Sequence, residues 1–174
     1  MAWGITGDLD SISAKVQKLE NAAMKATAKG MYKGAGIAAD NLSSSINSIR
    51  TEPFVYATTT KRAASPEEKA VLQSAAHGVA KFHTNGIEMD TSVGLDNSGY
   101  ATFARAKVFG KMKSGRHRGE RGIPIPALAR SIESGTSFRE KQPFMRRAWA
   151  KSKSPAAEAI RSTVESELQK AANE

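Results

Sequence analysis

The chain has 174 residues, 40% of them hydrophobic, a net charge of +9 and no cysteine. That length suits one domain with a real core, and the missing cysteines exclude disulfides and thiolate metal sites. No apolar run approaches the roughly 20 residues that span a bilayer, and Asp8 and Asp10 stand where a secretory segment would be basic and then apolar, so a soluble intracellular product with no membrane partner is expected.

Leu9, Ile12, Val16, Leu19, Ala23 and Ala26 recur at three- and four-residue spacing, with Lys15, Lys18, Glu20 and Lys25 between them. This is one buried face of a long helix running from Asp8 to about Ile49. The stripe thins at Gly30, Gly34 and Gly36 and resumes at Ile37, Leu42, Ile46 and Ile49. An interior glycine costs about 1 kcal/mol against alanine, so the cluster needs a reason. Either another backbone comes close at Gly30, Gly34 and Ala38, or the helix bends near 34–36; a long helix with a weak middle is expected.

Residues 53–60, P-F-V-Y-A-T-T-T, are rich in β-branched and aromatic residues and predict a first strand. Ser65-Pro66-Glu67-Glu68 then opens a helix, with Ser65 as N-cap, Pro66 at the first position and Glu68 closing a capping box. Val71, Leu72, Ala75, Ala76, Val79 and Phe82 give this helix an inward face, and it ends by Asn85-Gly86. Ile87, Met89, Thr91, Val93 and Leu95 alternate with polar residues, Asp96-Asn97-Ser98-Gly99 has turn chemistry, and alternation resumes over 100–109. Together they predict a hairpin. Residues 110–122, G-K-M-K-S-G-R-H-R-G-E-R-G, have no apolar period and predict a flexible basic loop.

Gly135 centres a tight turn, Glu133-Ser134-Gly135-Thr136-Ser137, and the final helix starts near Pro143. Ser154-Pro155 is read as a second N-cap and first turn, because an interior proline costs about 3 kcal/mol. Ala157, Ile160, Val164, Leu168 and Ala171 form a narrow stripe that either caps the sheet or meets a neighbouring subunit. The expected fold is α+β: an antiparallel sheet of three or four strands packed by a long N-terminal helix and a C-terminal helix, with a shorter helix between the first two strands.

Charge is uneven. Residues 105–121 carry +6 and residues 139–153 carry +5, leaving about −2 for the remainder, so an anionic partner surface near these segments is implied. For Lys111, Lys113, Arg116, Arg118 and Arg121 three readings stay open: a solvated connection, contact with DNA phosphates, or contact with an acidic face of a neighbouring protein. No aromatic lies among these five cations and no helix-turn-helix or zinc pattern is present, so neither base stacking nor sequence readout is expected. His77, His83 and His117 lack metal-ligand spacing, Ser134 lacks a nucleophile-elbow frame, and the glycines of the first helix follow no strand. Neither catalysis nor a cofactor or metal is expected.

The segment Glu133-Ser134-Gly135-Thr136-Ser137, a short polar spacer, then Pro143-Phe144-Met145-Arg146 with Ala148 soon after resembles the tail-completion family of long-tailed double-stranded DNA bacteriophages, also called neck or head-to-tail joining proteins. Two positions depart from the family pattern: Ser134 stands where members often carry an aromatic, and 47–53 where they often carry a Pro-Val-Asp-Thr-Gly-like segment. The resemblance implies a single tail-completion-like domain over 1–174, the same order of elements, and work as a subunit of a homo-oligomeric ring in the virion neck. Its partners would be the head connector or adaptor and the tail tube or tail terminator, with non-specific contact with packaged DNA. It also places the turn beside a subunit interface, with Glu133, Gly135, Thr136, Ser137, Pro143, Phe144, Arg146 and Arg147 as interface candidates and Glu133 pairing with Arg146 or Arg147 of the same or the next chain. A tail terminator ring is the near alternative, and a basic nucleic-acid-binding module the alternative of another class. Phe144 and Trp149 are expected as core anchors, and Trp3 as a partner-binding residue near the terminus.

Overall fold

The computed structural model describes residues 6–54, 60–79, 92–96, 98–102 and 122–173. Trp3 and the basic residues Lys111, Lys113, Arg116, Arg118 and Arg121 lie outside them, as do most of the expected first strand and hairpin. The elements are α1 (Thr6–Asn47), α2 (Pro66–Ala75), β1 (Ala76–Val79), β2 (Ser92–Leu95), β3 (Tyr100–Ala101), β4 (Ile123–Pro124), α3 (Ile125–Ser134) and α4 (Phe144–Asn173). The protein is mostly helical, with long N- and C-terminal helices and small antiparallel strand pairs. No helix among the described residues is long and apolar enough to cross a membrane.

α1 is continuous through its glycines, and the reason is α4. A Cβ on Gly34 would stand 2.7 Å from Ile160 Cγ1 and 3.3 Å from the Ala156 carbonyl, and one on Gly30 would stand 3.1 Å from the Ile160 carbonyl. Of the two explanations for the glycine cluster, close backbone approach is the one found. Gly36 meets nothing within 4 Å. The stripe Ile160 and Val164 therefore packs on α1 of its own chain, not on a sheet. α4 also runs through Pro155 without a break, which corrects the expected new start at Ser154. Pro155 lies on the exposed side, so the carbonyl it leaves unbonded faces water, while Ala156 and Ile160 hold the following turn on Gly34.

α2 starts as its sequence requires. The Ser65 side chain accepts from the Glu68 N–H at 3.2 Å, and the Glu68 carboxylate accepts from the Ser65 N–H at 2.8 Å. It stops ten residues early, at Ala75, because Ala76 turns extended and Ala76–Val79 pairs antiparallel with Ser92–Leu95. His77 thus sits in a strand, and the hydrophobic period that suggested a longer helix is overridden by strand pairing. β2 pairs with β1, and β3 with β4 through Tyr100↔Pro124 and Ala101↔Ile123, rather than β2 with β3.

The core gathers Leu42 and Ile46 from the end of α1, Ile49 from just beyond it, Leu72 from α2, Leu128 and Ile132 from α3, and Phe144 from α4. α3 was not anticipated. Its Ile125, Leu128, Ala129 and Ile132 follow helical spacing and are buried, but two X-Pro steps at 123–126 read as extended chain and hide it. At the other end of the molecule, the expected buried stripe of α1 is open: Ile12, Val16 and Leu19 are 50%, 58% and 44% exposed.

The close α1–α4 seam makes a direct prediction. Gly34→Leu should lower unfolding free energy by about 1–3 kcal/mol through overpacking, whereas Gly36→Ala should raise it by up to about 1 kcal/mol; denaturant titration of both variants measures the contrast.

Candidate interaction surface

The turn at Gly135 joins α3 to α4, and its geometry follows from its residues. Gly135 has φ +72°, and a Cβ there would lie 3.1 Å from the Arg139 carbonyl and from Lys141, so glycine suits the position on both counts. Thr136 N–H donates to the Arg139 carbonyl at 3.1 Å and Arg139 N–H donates back to the Thr136 carbonyl at 3.4 Å, closing a turn that leaves Ser137 and Phe138 exposed at its tip. Gln142 N–H donates to the Ile132 carbonyl at 2.8 Å and returns the chain to the end of α3.

Glu133 then caps α4. Its carboxylate accepts from the Met145 N–H at 2.8 Å and from the Arg146 N–H at 3.3 Å, two of the donors that a helix start leaves without partners. Arg146 Nε lies 3.6 Å from the same carboxylate, so the expected Glu133–Arg146 pair occurs within one chain. Arg147 instead donates Nε–H to the Pro143 carbonyl at 3.2 Å. Because both partners sit one helical turn or less from Pro143, the turn and the helix start form a single unit.

Beneath this unit is a buried ion cluster that sequence reasoning missed. Arg139, 5% exposed, places both terminal guanidinium nitrogens on the Glu68 carboxylate at 2.7 and 2.8 Å, the bidentate fork that gives the strongest charge-assisted bonds. Arg62 adds contacts of 3.3 and 3.4 Å to the same two oxygens and lies 4.6 Å over the Phe54 ring. Burial alone would push the Glu68 carboxyl up; the hydrogen bonds from Arg139, Arg62 and the Ser65 N–H outweigh it and hold the group at about 2. Glu68 was read only as half of a capping box, and nothing local names partners that lie 71 residues away. Gln142 completes the bracing: its side-chain oxygen accepts from Arg50 N–H at 2.8 Å and its amide donates to the Arg50 carbonyl at 3.0 Å.

Phe144 is fully buried, as expected of a core anchor, which removes its side chain from the interface candidates. Trp149 is 68% exposed, which corrects its reading as a core anchor. The inward face of α4 repeats at Phe144, Ala148 and Ser152, and Trp149 falls about 100° around the helix from Ala148. It shares the surface with exposed Met145, Arg146, Arg147 and Lys151. The result is a basic surface with apolar side chains at the start of α4, suited to an acidic partner with an apolar centre. Among the described residues no group of three His, Cys, Asp or Glu side chains could hold a metal ion.

Comparison with protein-family profiles, with curated proteins and with solved structures finds no match to this chain.

Two predictions follow from the cluster and the helix face. Glu68 has its carboxyl lowered from 4.5 to about 2 in the folded chain, so its stabilisation is complete above the unfolded value and is lost as pH falls through this window. The loss amounts to about 3 kcal/mol, and Glu68→Gln, which strands the buried Arg139 and the partly buried Arg62, should cost about 3–5 kcal/mol at neutral pH and remove that acid dependence; urea unfolding from pH 7 to pH 2 measures both. Phe144→Ala should cost about 3–5 kcal/mol and Trp149→Ala less than about 0.5 kcal/mol in the same assay.

Proposed function

We propose that this protein is a structural subunit of the neck of a long-tailed DNA bacteriophage, forming a ring that completes the tail and joins it to the head connector. One observation carries the reading: the residues of the Glu133-to-Arg146 segment that resemble the tail-completion motif form one braced unit, with Gly135 at positive φ and Glu133 capping α4. The exposed cations at the start of α4 support it further, since stacked rings are oriented by charge complementarity more than held by it. In this reading the work is assembly: a heterologous contact repeated around an axis closes into a ring around the DNA channel. The role involves no catalysis and no cofactor. The expected sheet of three or four strands belongs to the same proposal, with β1–β2 and β3–β4 as the strand pairs among the described residues.

A tail terminator differs only in which particle the ring meets, so a single experiment separates the two. Light scattering and negative-stain images of the protein, alone and mixed with purified tails or DNA-filled heads, should give rings or saturable attachment to one particle. Attachment to heads and tails together marks a neck protein; attachment to bare tails alone marks a terminator. The basic nucleic-acid module is favoured by the +6 charge of residues 105–121. A monomer that ignores both particles yet binds duplex DNA with a steep salt slope overturns the neck reading in its favour. Arg116→Gln, Arg118→Gln and Arg121→Gln together should leave ring formation intact, while lowering any salt-dependent DNA affinity by at least about tenfold.

A further inference from the structure

Among the described residues, nothing covers the large apolar side chains at the projecting end of α1. Gly30 packs on Ile160 and Val164, Gly34 on Ala156 and Ile160, and Lys29 pairs with Glu167 at 2.8 Å, so α4 runs antiparallel to α1. At equal rise per residue α4 runs out about level with Leu19, and α1 continues about 20 Å beyond it. On that free length Ile12, Val16 and Leu19 are exposed large apolar side chains among the described residues.

These residues are not scattered. Val16, Ala23 and Gly30 fall on one position of a seven-residue repeat and Ile12, Leu19 and Ala26 on the other core position, the a and d pattern of a helix that packs along another helix. Ala26 and Gly30 of the same stripe are buried, with Gly30 against α4. Ile12, Val16 and Leu19 extend that established seam beyond the end of its partner. The side chains also change along it, from glycine and alanine where α4 lies close to Val, Ile and Leu where it is gone. Small residues suit a partner backbone at close range, whereas large ones suit the wider spacing of interlocking side chains.

The flanking charges indicate what lies on the free part. Lys15 occupies the g position and Glu20 the e position five residues on, the two sites that meet between adjacent helices running parallel and in register. Two copies so arranged place Lys15 beside Glu20 of the neighbour, and Glu20 beside its Lys15. The antiparallel register that pairs Ile12 with Val16 instead brings Lys15 against Lys15.

We propose that the projecting end of α1 packs parallel and in register against the same segment of a second copy of this chain, through Ile12, Val16 and Leu19 with Lys15–Glu20 contacts at the rim. This contact is isologous, relating the two copies by a two-fold axis along the helices, so it stands apart from the heterologous contacts of the proposed ring. The Lys15–Glu20 pattern sets the parallel direction.

The chain has no cysteine, so a single introduced thiol reports the geometry in the full-length protein. Under mild oxidation Val16→Cys should form a disulfide-linked dimer about tenfold faster than Gln17→Cys, its neighbour off the seam, because only the former brings Cβ atoms within bonding range. Lys15→Glu and Glu20→Lys should each weaken self-association by about fivefold in sedimentation equilibrium, and the double variant should restore it. Leu19→Asp should abolish it, and since Leu19 is exposed, unchanged helical content establishes that the fold survives. Equal cross-linking at 16 and 17 overturns the proposal, and so does a double variant weaker than either single one. Cross-linking at 16 by a protein that attaches to neither heads nor tails leaves this contact standing and removes the neck reading.

Discussion

The described structure depends most on one carboxylate with three sets of donors. Glu68 accepts from the backbone at the start of α2, from the fork of Arg139 and from Arg62, so it joins two separate stretches of chain, 62–68 and the Gly135 turn. The backbones follow the same convergence: Glu52 N–H donates to the Ala64 carbonyl, Arg62 N–H to the Phe138 carbonyl and Glu140 N–H to the Arg62 carbonyl. Isolated parallel bridges join Thr51 to Ala64 and Arg62 to Arg139. Such short bridges contribute little alone. The buried ion cluster fixes which segments lie side by side, because stranding any one of its charges in a dry interior costs more than the cluster contributes over an apolar core. Its value is as much in specifying an arrangement as in stability.

Register passes from this cluster to the surface through the Gly135 turn. Arg139 is held below by Glu68, its backbone closes the turn with Thr136, and Gln142 ties the following strand of chain to Arg50. Glu133 then fixes the first turn of α4. The exposed side chains at that helix start, Met145, Arg146 and Trp149, are therefore carried on a base with little freedom, which lowers the ordering cost for any partner that docks there.

α1 and α4 obey a different constraint. Where they touch, glycines let two backbones approach, and the price is poor intrinsic helix propensity in the middle of a long helix. Tertiary packing supplies what propensity lacks, as it does for Pro155 on the open side of α4. The one long seam thus explains both local exceptions, and its end explains the apolar side chains left open on α1.

The sequence by itself determined the features whose causes lie within a turn or so of chain: the Ser65–Glu68 capping box, the positive φ of Gly135, the long N-terminal helix and the burial of Phe144. In each, the residues that make the interaction are neighbours, and spacing alone identifies them. Only the tertiary structure decided where helical spacing stops counting. Ala76 to Val79 carries a helical pattern and becomes a strand because Ser92–Leu95 is available to pair; Trp149 and the stripe from Ile12 to Leu19 are apolar at helical spacing and stay exposed because no element among the described residues reaches them. Glu68 shows the same division inside one residue, since its bond to Ser65 is local and legible, whereas its bonds to Arg139 exist only once α2 and the Gly135 turn have met. Periodicity states that a face can be buried; which element buries it is a property of the assembled fold.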